Sequence, residues 1–400
     1  MDSPRGKYSV RPGDHRLNSR APRKSLQMTQ EEHKELKRLI AERVSQDSGL
    51  LTKLRDEVKL LKAKVTKIQP RPAHSVAIVA TDGGENKFHF DPYLIQVVRV
   101  VDSANTSHSV DVASPSTEPG DLLKRHFDAN GNAQTPLGRM MKKLNVNSLH
   151  ALSSMIPEKS DPEHPSAGWL SVLRELQEWA VLLDLACERW GSDTLLIFDG
   201  LLRTKKFSQD LFAKYRVLLE KAIADHKQTK GKSIYVAGFS KDNQVLTRYR
   251  LALALENILK TSYPAYLEIP RAFEISTYKW KEWARGDDLV KEGEEANKFV
   301  GGKLFFGKFG SQPEDRIWPV DILQSQVSEV QTVMGCLLND SLNGFPIPNY
   351  PRSLQAAHEN ASQVGFDNLI LEDSVFKEIR DSLGGSASIF DGFRLSNSSE

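Results

Sequence analysis

Two apolar runs in this chain end in the same way. Val76-Ala77-Ile78-Val79-Ala80-Thr81 gives way to Asp82-Gly83-Gly84, and Leu195-Leu196-Ile197-Phe198 gives way to Asp199-Gly200. Short runs that are apolar throughout and closed by glycine predict strands buried on both faces. A carboxylate at the tip of such a strand is costly to desolvate, so it calls for a compensating partner, often a metal ion. Either Asp-Gly taken alone also fits an ordinary turn.

The segments around these runs predict an α/β chain. Tyr93–Val101 reads as a second strand and Ser109–Ala113 as a short third, inside a Ser/Thr/Pro-rich stretch reaching Pro119. Helical patterns follow at 137–144 and 149–156, then a polar loop with three prolines and a long helix over 168–190. Strand 194–198, helix 208–226, strand 233–238 and a helix over 245–259 come next. A less regular region holds Trp280 and Trp283, 303–308 and 316–322 could pair as strands, and the last third is mainly helical. This order is the layout of an RNase H-like core, a mixed sheet of three antiparallel strands followed by parallel strands with flanking helices. Such a core carries acids on its first strand, first long helix and fourth strand. Those places hold Asp82, an acid on the 168–190 helix, and Asp199.

The N-terminal part has a different character. Residues 1–26 form a polar arm in which seven basic residues outnumber Asp2 and Asp14, and this predicts disorder. Thr29-Gln30-Glu31-Glu32 is a capping box opening a helix. Leu36, Leu39, Ile40 and Val44, then Leu50, Leu51, Leu54, Val58, Leu61 and Val65, continue at helical spacing around a break near Ser48-Gly49. The expectation is two helices or one kinked helix over 27–69, with a stripe covered either by the body of the protein or by another chain. The body spans 73–385, and 386–400 reads as a flexible tail.

Composition excludes several classes. Lys plus Arg (54) nearly balance Asp plus Glu (52), so overall charge does not speak for nucleic acid, although a local basic groove would. Two cysteines, Cys187 and Cys336, leave no zinc site or disulfide framework and fit a reducing cytoplasm. No apolar run is long enough to span a bilayer, and the N-terminus lacks the core of a signal peptide, so no membrane association is expected. Gly231-Lys232-Ser233 ends like a P-loop. His226 replaces its first glycine, however, and a strand follows where a helix should. There is no G-x-S-x-G elbow.

On the 168–190 helix, Trp169, Val172, Leu173, Leu176, Ala180, Leu183 and Cys187 form one stripe, with Val181, Leu182 and Leu185 opposite. Glu178 falls on that second face. It is either a ligand or a partly exposed helix acid, with Glu175 in reserve. Three convergent carboxylates would bind a hard divalent ion, Mn²⁺ or Mg²⁺, suited to phosphodiester hydrolysis. The rival readings are a non-catalytic clamp or adaptor and a strand-transfer enzyme. The latter would be expected to have a DNA-reading module, and none is found.

Five features in order resemble the NurA nuclease family. They are Asp82-Gly83, the helix Arg174-Glu-Leu-Gln-Glu178-Trp179, Asp199-Gly200-Leu201-Leu202, Ser240-Lys241-Asp242, and Tyr350-Pro351 followed by Ala357-His358. The resemblance covers the chain from the N-terminal helices to about residue 370. It implies a manganese-dependent DNA nuclease acting on 5′ ends and single strands, a dimer docked on a hexameric HerA-type ATPase. It implies that Asp82, Glu178 and Asp199 ligate metal, and that His358 is a fourth ligand or proton carrier. Tyr350 would position phosphate or water, and Lys241 would neutralise charge. Gly84 stands where the family usually has a small hydroxyl residue.

Overall fold

The computed structural model describes residues 28–71, 76–90, 93–160, 168–279, 298–342, 344–362, 366–386 and 389. The basic arm, Trp280 with Trp283, and nearly all of the tail lie outside the described residues. The chain divides into two units at Lys53 and Leu54.

Helix α1 (Gln30–Lys59) is a single element with no break at Ser48-Gly49. In the first unit its capping box is formed: the Glu32 N–H donates to Thr29 Oγ1 at 3.2 Å, and the Thr29 N–H donates to Glu32 Oε2 at 2.7 Å. Leu36, Ile40 and Val44 are exposed. Within the second unit the last turns bury Leu54, Val58 and Leu61, and Arg55 is paired with Glu256 at 2.6 Å.

The second unit is built on nine strands, β1 (Thr66–Lys67), β2 (Val76–Phe90), β3 (Tyr93–Asp102), β4 (Ser107–Ala113), β5 (Asp193–Asp199), β6 (Ile234–Phe239), β7 (Ala265–Glu268), β8 (Gly302–Lys308) and β9 (Ile317–Leu323). They form one sheet in the order β1-β7-β8-β9-β6-β5-β2-β3-β4. Strands β2, β3 and β4 make an antiparallel meander, and β5 and β6 run parallel to β2. This is the RNase H-like arrangement expected from the order of segments. Beyond it, β9, β8, β7 and β1 extend the sheet antiparallel. Of these four, only the pairing of β8 with β9 is legible in the sequence.

Side-chain alternation along the central strands feeds two cores. Leu196, Phe198, Ile234 and Val236 face one way, toward helices α2 (Pro119–His126), α3 (Pro136–Leu144), α4 (Leu149–Leu152), α5 (Gly168–Ala186) and α6 (Leu211–Lys230). Leu195, Ile197, Ala237 and Phe239 face the other way. Helices α7 (Gln244–Leu255) and α8 (Arg271–Thr277) stack Tyr249 on Phe273 at 4.3 Å. The second core is closed by α9 (Val330–Ser341) and α10 (Arg352–Ala361), and α11 (Phe366–Leu383) follows. Strands buried on both sides explain the unbroken apolar runs; each buried leucine or phenylalanine contributes about 1.5–3 kcal/mol.

Helix α5 is buried nearly all round, and Trp179 anchors it. The indole stacks on Phe198 at 4.3 Å and meets Phe212 and Tyr215 edge-on, while the Tyr215 hydroxyl donates to the Trp179 carbonyl at 2.8 Å. The helix ends at Ala186, four residues before Trp190, and Cys187 just beyond it is exposed. Gly231 is the left-handed cap of α6 (φ 65°), and His226 accepts the Trp190 N–H at 3.1 Å, so the P-loop-like residues serve structure. No helix among the described residues is long and apolar enough to cross a membrane.

Candidate metal centre

Strand β2 does not stop at Asp82, contrary to the expected strand tip. Its parallel pairing with β5 runs from Val76↔Asp193 to Thr81↔Phe198 and ends there. The strand itself continues through Asp82-Gly83-Gly84 to Phe90, paired only with β3 on that side. Asp82 and Asp199 are therefore the next residues on neighbouring strands, at the level where the two part. Adjacent strands lie about 4.8 Å apart, so this register alone brings the carboxylates together.

The glycines after Asp82 are explained by close packing, since the chain does not turn there. A β-carbon on Gly83 would come within 3.0 Å of the Glu178 carboxyl, and one on Gly84 within 3.0 Å of the Ala361 carbonyl oxygen. Gly83 admits α5 to one face of β2, and Gly84 admits the end of α10 to the other. That contact leaves no room at position 84 for the hydroxyl side chain usual in the family the sequence resembles.

Helix α10 is fixed where it lies over β2 and β3. The Ser353 N–H and hydroxyl donate to Asp340 at 3.1 and 2.6 Å, and Arg99 donates to the Asn360 carbonyl at 3.1 Å. It presents His358, whose Nδ1 lies 2.7 Å from Asp82 Oδ2. One ligand atom each from Asp82, Asp199 and His358 fall within 4.8 Å of one another. Asp82's side chain is 8% exposed and that of His358 is 56%, so the cluster is walled by protein on one side and open on the other.

The electrostatics suit a cation. Burial, and then the neighbouring Asp82 carboxylate, push the Asp199 carboxyl up to about 6, against the pull of Lys241 and His358. Two crowded carboxylates with an imidazole alongside offer hard oxygen donors and one nitrogen. This donor set fits Mn²⁺ or Mg²⁺, and a divalent ion would relieve the repulsion between the acids.

Tyr350 is buried against Phe239 and Trp318 at 5.2 and 4.9 Å, with its hydroxyl 3.5 Å from Asp199 Oδ1. Burial first, then Asp199 and Asp82, raise its pKa, so it stays a phenol and a hydrogen-bond donor. Its loop is clamped from α10 by Gln355, which accepts the Ile347 N–H at 2.8 Å and donates to the Ile347 and Tyr350 carbonyls at 3.0 Å. Lys241, just past β6, holds its ammonium 5.9 Å from the centre of the Tyr350 ring. Gln355 is a positioning residue that sequence reading misses, since nothing local distinguishes it from any helix glutamine.

Glu178 is buried beneath Gly83, on the α5 side, and is not one of the three clustered ligands. Its carboxylate accepts from Arg174 Nη1 at 2.6 Å, and the same nitrogen donates to the Gly83 carbonyl at 2.9 Å. Burial raises the Glu178 pKa well above the usual range, and Arg174 works against that. Arg174 opens the helix motif quoted from the sequence but is given no role there, although its spacing of four from Glu178 is the signal for the pair. Glu175 turns to the Thr204 hydroxyl at 2.5 Å. The loop holding Thr204 is pinned by the buried Arg203, paired with Asp321 at 2.7 Å and Glu274 at 3.0 Å.

No family model matches the chain, and no curated protein matches it. Solved structures do. The chain is similar to the NurA nuclease of Sulfolobus solfataricus, with 14% identity, 90% of this chain and 99% of that one covered, and a TM-score of 0.43. It is similar to a NurA structure solved with manganese, at 9% identity over 87% of this chain and 98% of that one, with a TM-score of 0.38. A third NurA structure, bound to dAMP and manganese, is 11% identical over 84% and 94%, with a TM-score of 0.33.

Proposed function

We propose that this chain is a Mn²⁺- or Mg²⁺-dependent deoxyribonuclease. The observation that carries the reading is the convergence of Asp82, Asp199 and His358, from two neighbouring strands and a helix laid across them. Asp82 and Asp199 would hold the metal, with His358 as a further ligand or as the carrier of a proton on the open side. When bound, the ion would supply a Lewis acid for the phosphoryl oxygen and lower the pKa of attacking water. Tyr350, kept protonated, orients Asp199 or a phosphate oxygen by donating its hydroxyl. Lys241 offsets negative charge as the substrate approaches two carboxylates. Glu178, tied to Arg174, would contribute from beneath β2 once the cation draws it away from the guanidinium.

The finer reading follows the family that the sequence resembles: 5′-3′ exonuclease and single-strand endonuclease activity, in a homodimer working beside a HerA-like hexameric translocase. The setting would be DNA end resection or phage defence in the cytoplasm. The test is cleavage of plasmid and end-labelled oligonucleotides with Mn²⁺, and then with EDTA. Asp82→Asn and Asp199→Asn should each abolish hydrolysis while remaining folded, with cooperative unfolding as in the wild type. Wild-type activity in either variant, or none in the wild type with Mn²⁺, would favour a clamp or adaptor.

A further inference from the structure

Arg316 stands immediately before β9, exposed, with its guanidinium over the ring of the buried Trp318 at 4.1 Å from the centroid. Its Nη2 donates to the Lys241 carbonyl at 2.7 Å. Trp318 meets Tyr350 edge-on at 4.9 Å, and the Tyr350 hydroxyl reaches Asp199. An aromatic column thus runs from the acid pair to the surface and is topped by an arginine. Lys241 lies over the Tyr350 ring of the same column.

Two other arginines near the site spend their charge on protein carboxylates, Arg174 on Glu178 and Arg203 on Asp321 and Glu274. Among the described residues no carboxylate pairs with Arg316 or Lys241. Arg316 is therefore held in place by a ring and a carbonyl while its charge stays unneutralised. A stacked guanidinium with free N–H groups is a ready partner for a phosphate, which it can engage through two parallel hydrogen bonds.

We infer that Arg316 binds a backbone phosphate of the DNA strand beside the scissile one, so that with Lys241 it guides the strand onto the acid cluster. This rests on the nuclease reading. The contact supplies the positive charge that a polyanion needs when it approaches two carboxylates.

Arg316→Gln is the informative variant. The amide removes the charge and the fork, keeps a planar uncharged head with an N–H, and ends two atoms short of the guanidinium. Binding of a fluorescent single-stranded oligonucleotide is measured by anisotropy in EDTA across a range of salt, so that no cleavage intervenes. Affinity should fall by roughly three- to tenfold, and the slope of log affinity against log salt should shrink by about 0.7, the release from one single-strand phosphate. The melting temperature and Mn²⁺ affinity should stay at wild-type values. Arg316→Lys, which keeps the charge, should retain the wild-type salt slope even if it binds less tightly. Unchanged affinity and slope in Arg316→Gln would overturn the assignment, as would a loss of affinity with the slope intact, which marks a structural role. Arg316-dependent binding by a wild type that never cuts DNA would leave the contact standing and remove the hydrolytic reading.

Discussion

A methyl group at position 84 would collide with the Ala361 carbonyl, and the backbone there has no slack, because β2 is hydrogen-bonded to β3 and α10 is tied to β3 by Arg99. Gly84→Ala should therefore push the end of α10 away from β2 and carry His358 with it. The expected result is a stability loss of about 1–3 kcal/mol and a fall in turnover of roughly a hundredfold, read from denaturant unfolding and single-turnover cleavage. Asp199 offers a second test. Its carboxyl titrates near 6 in the folded state against 3.8 otherwise, so the folded state holds this proton more tightly. The resulting stabilisation is complete below pH 3.8 and is lost as pH rises through about 6. At 1.36 kcal/mol per pH unit the loss is about 3 kcal/mol. Denaturant unfolding in EDTA between pH 4 and 7 should show wild type losing about that much relative to Asp199→Asn, and Mn²⁺ should restore it at the upper end. A pH-independent difference between the two proteins would contradict the crowding of the acids.

The elements that carry the site were unequally legible. Strand β5 and its aspartate could be read directly, because a strand buried on both faces leaves an unbroken apolar run. Strand β2 was truncated in the sequence reading, because Asp-Gly-Gly has the composition of a turn. Only the helices packed on either side explain why glycine sits mid-strand. Strands β1 and β7 have two and four residues and owe their place to pairing with distant segments, so no local period marks them. Helix α5 was placed well, and the burial of Glu178 follows from its second apolar face, but its pairing with Arg174 was overlooked. That pair makes an element-level prediction. Arg174→Ala should cost toward the lower end of the roughly 3–5 kcal/mol expected when a buried carboxylate loses its partner. Adding Glu178→Gln should recover much of it. Unfolding curves of the two single variants and the double variant measure the coupling, and simple additivity would mean that the pair does not hold α5 to β2.

Across the whole molecule, the centre depends on joining three distant parts of the chain. The register of β2 with β5 sets the two aspartates side by side, and α10, more than 150 residues after Asp199, closes over them with His358. The two cores on opposite faces hold this arrangement rigid, since shifting either strand by one residue would exchange every inward side chain for an outward one. The most direct test is an anomalous-scattering map from a crystal soaked in Mn²⁺. The account predicts a manganese peak about 2.0–2.2 Å from carboxylate oxygens of Asp82 and Asp199, with His358 beside it. Manganese bound elsewhere, with no density between those two aspartates, would contradict it.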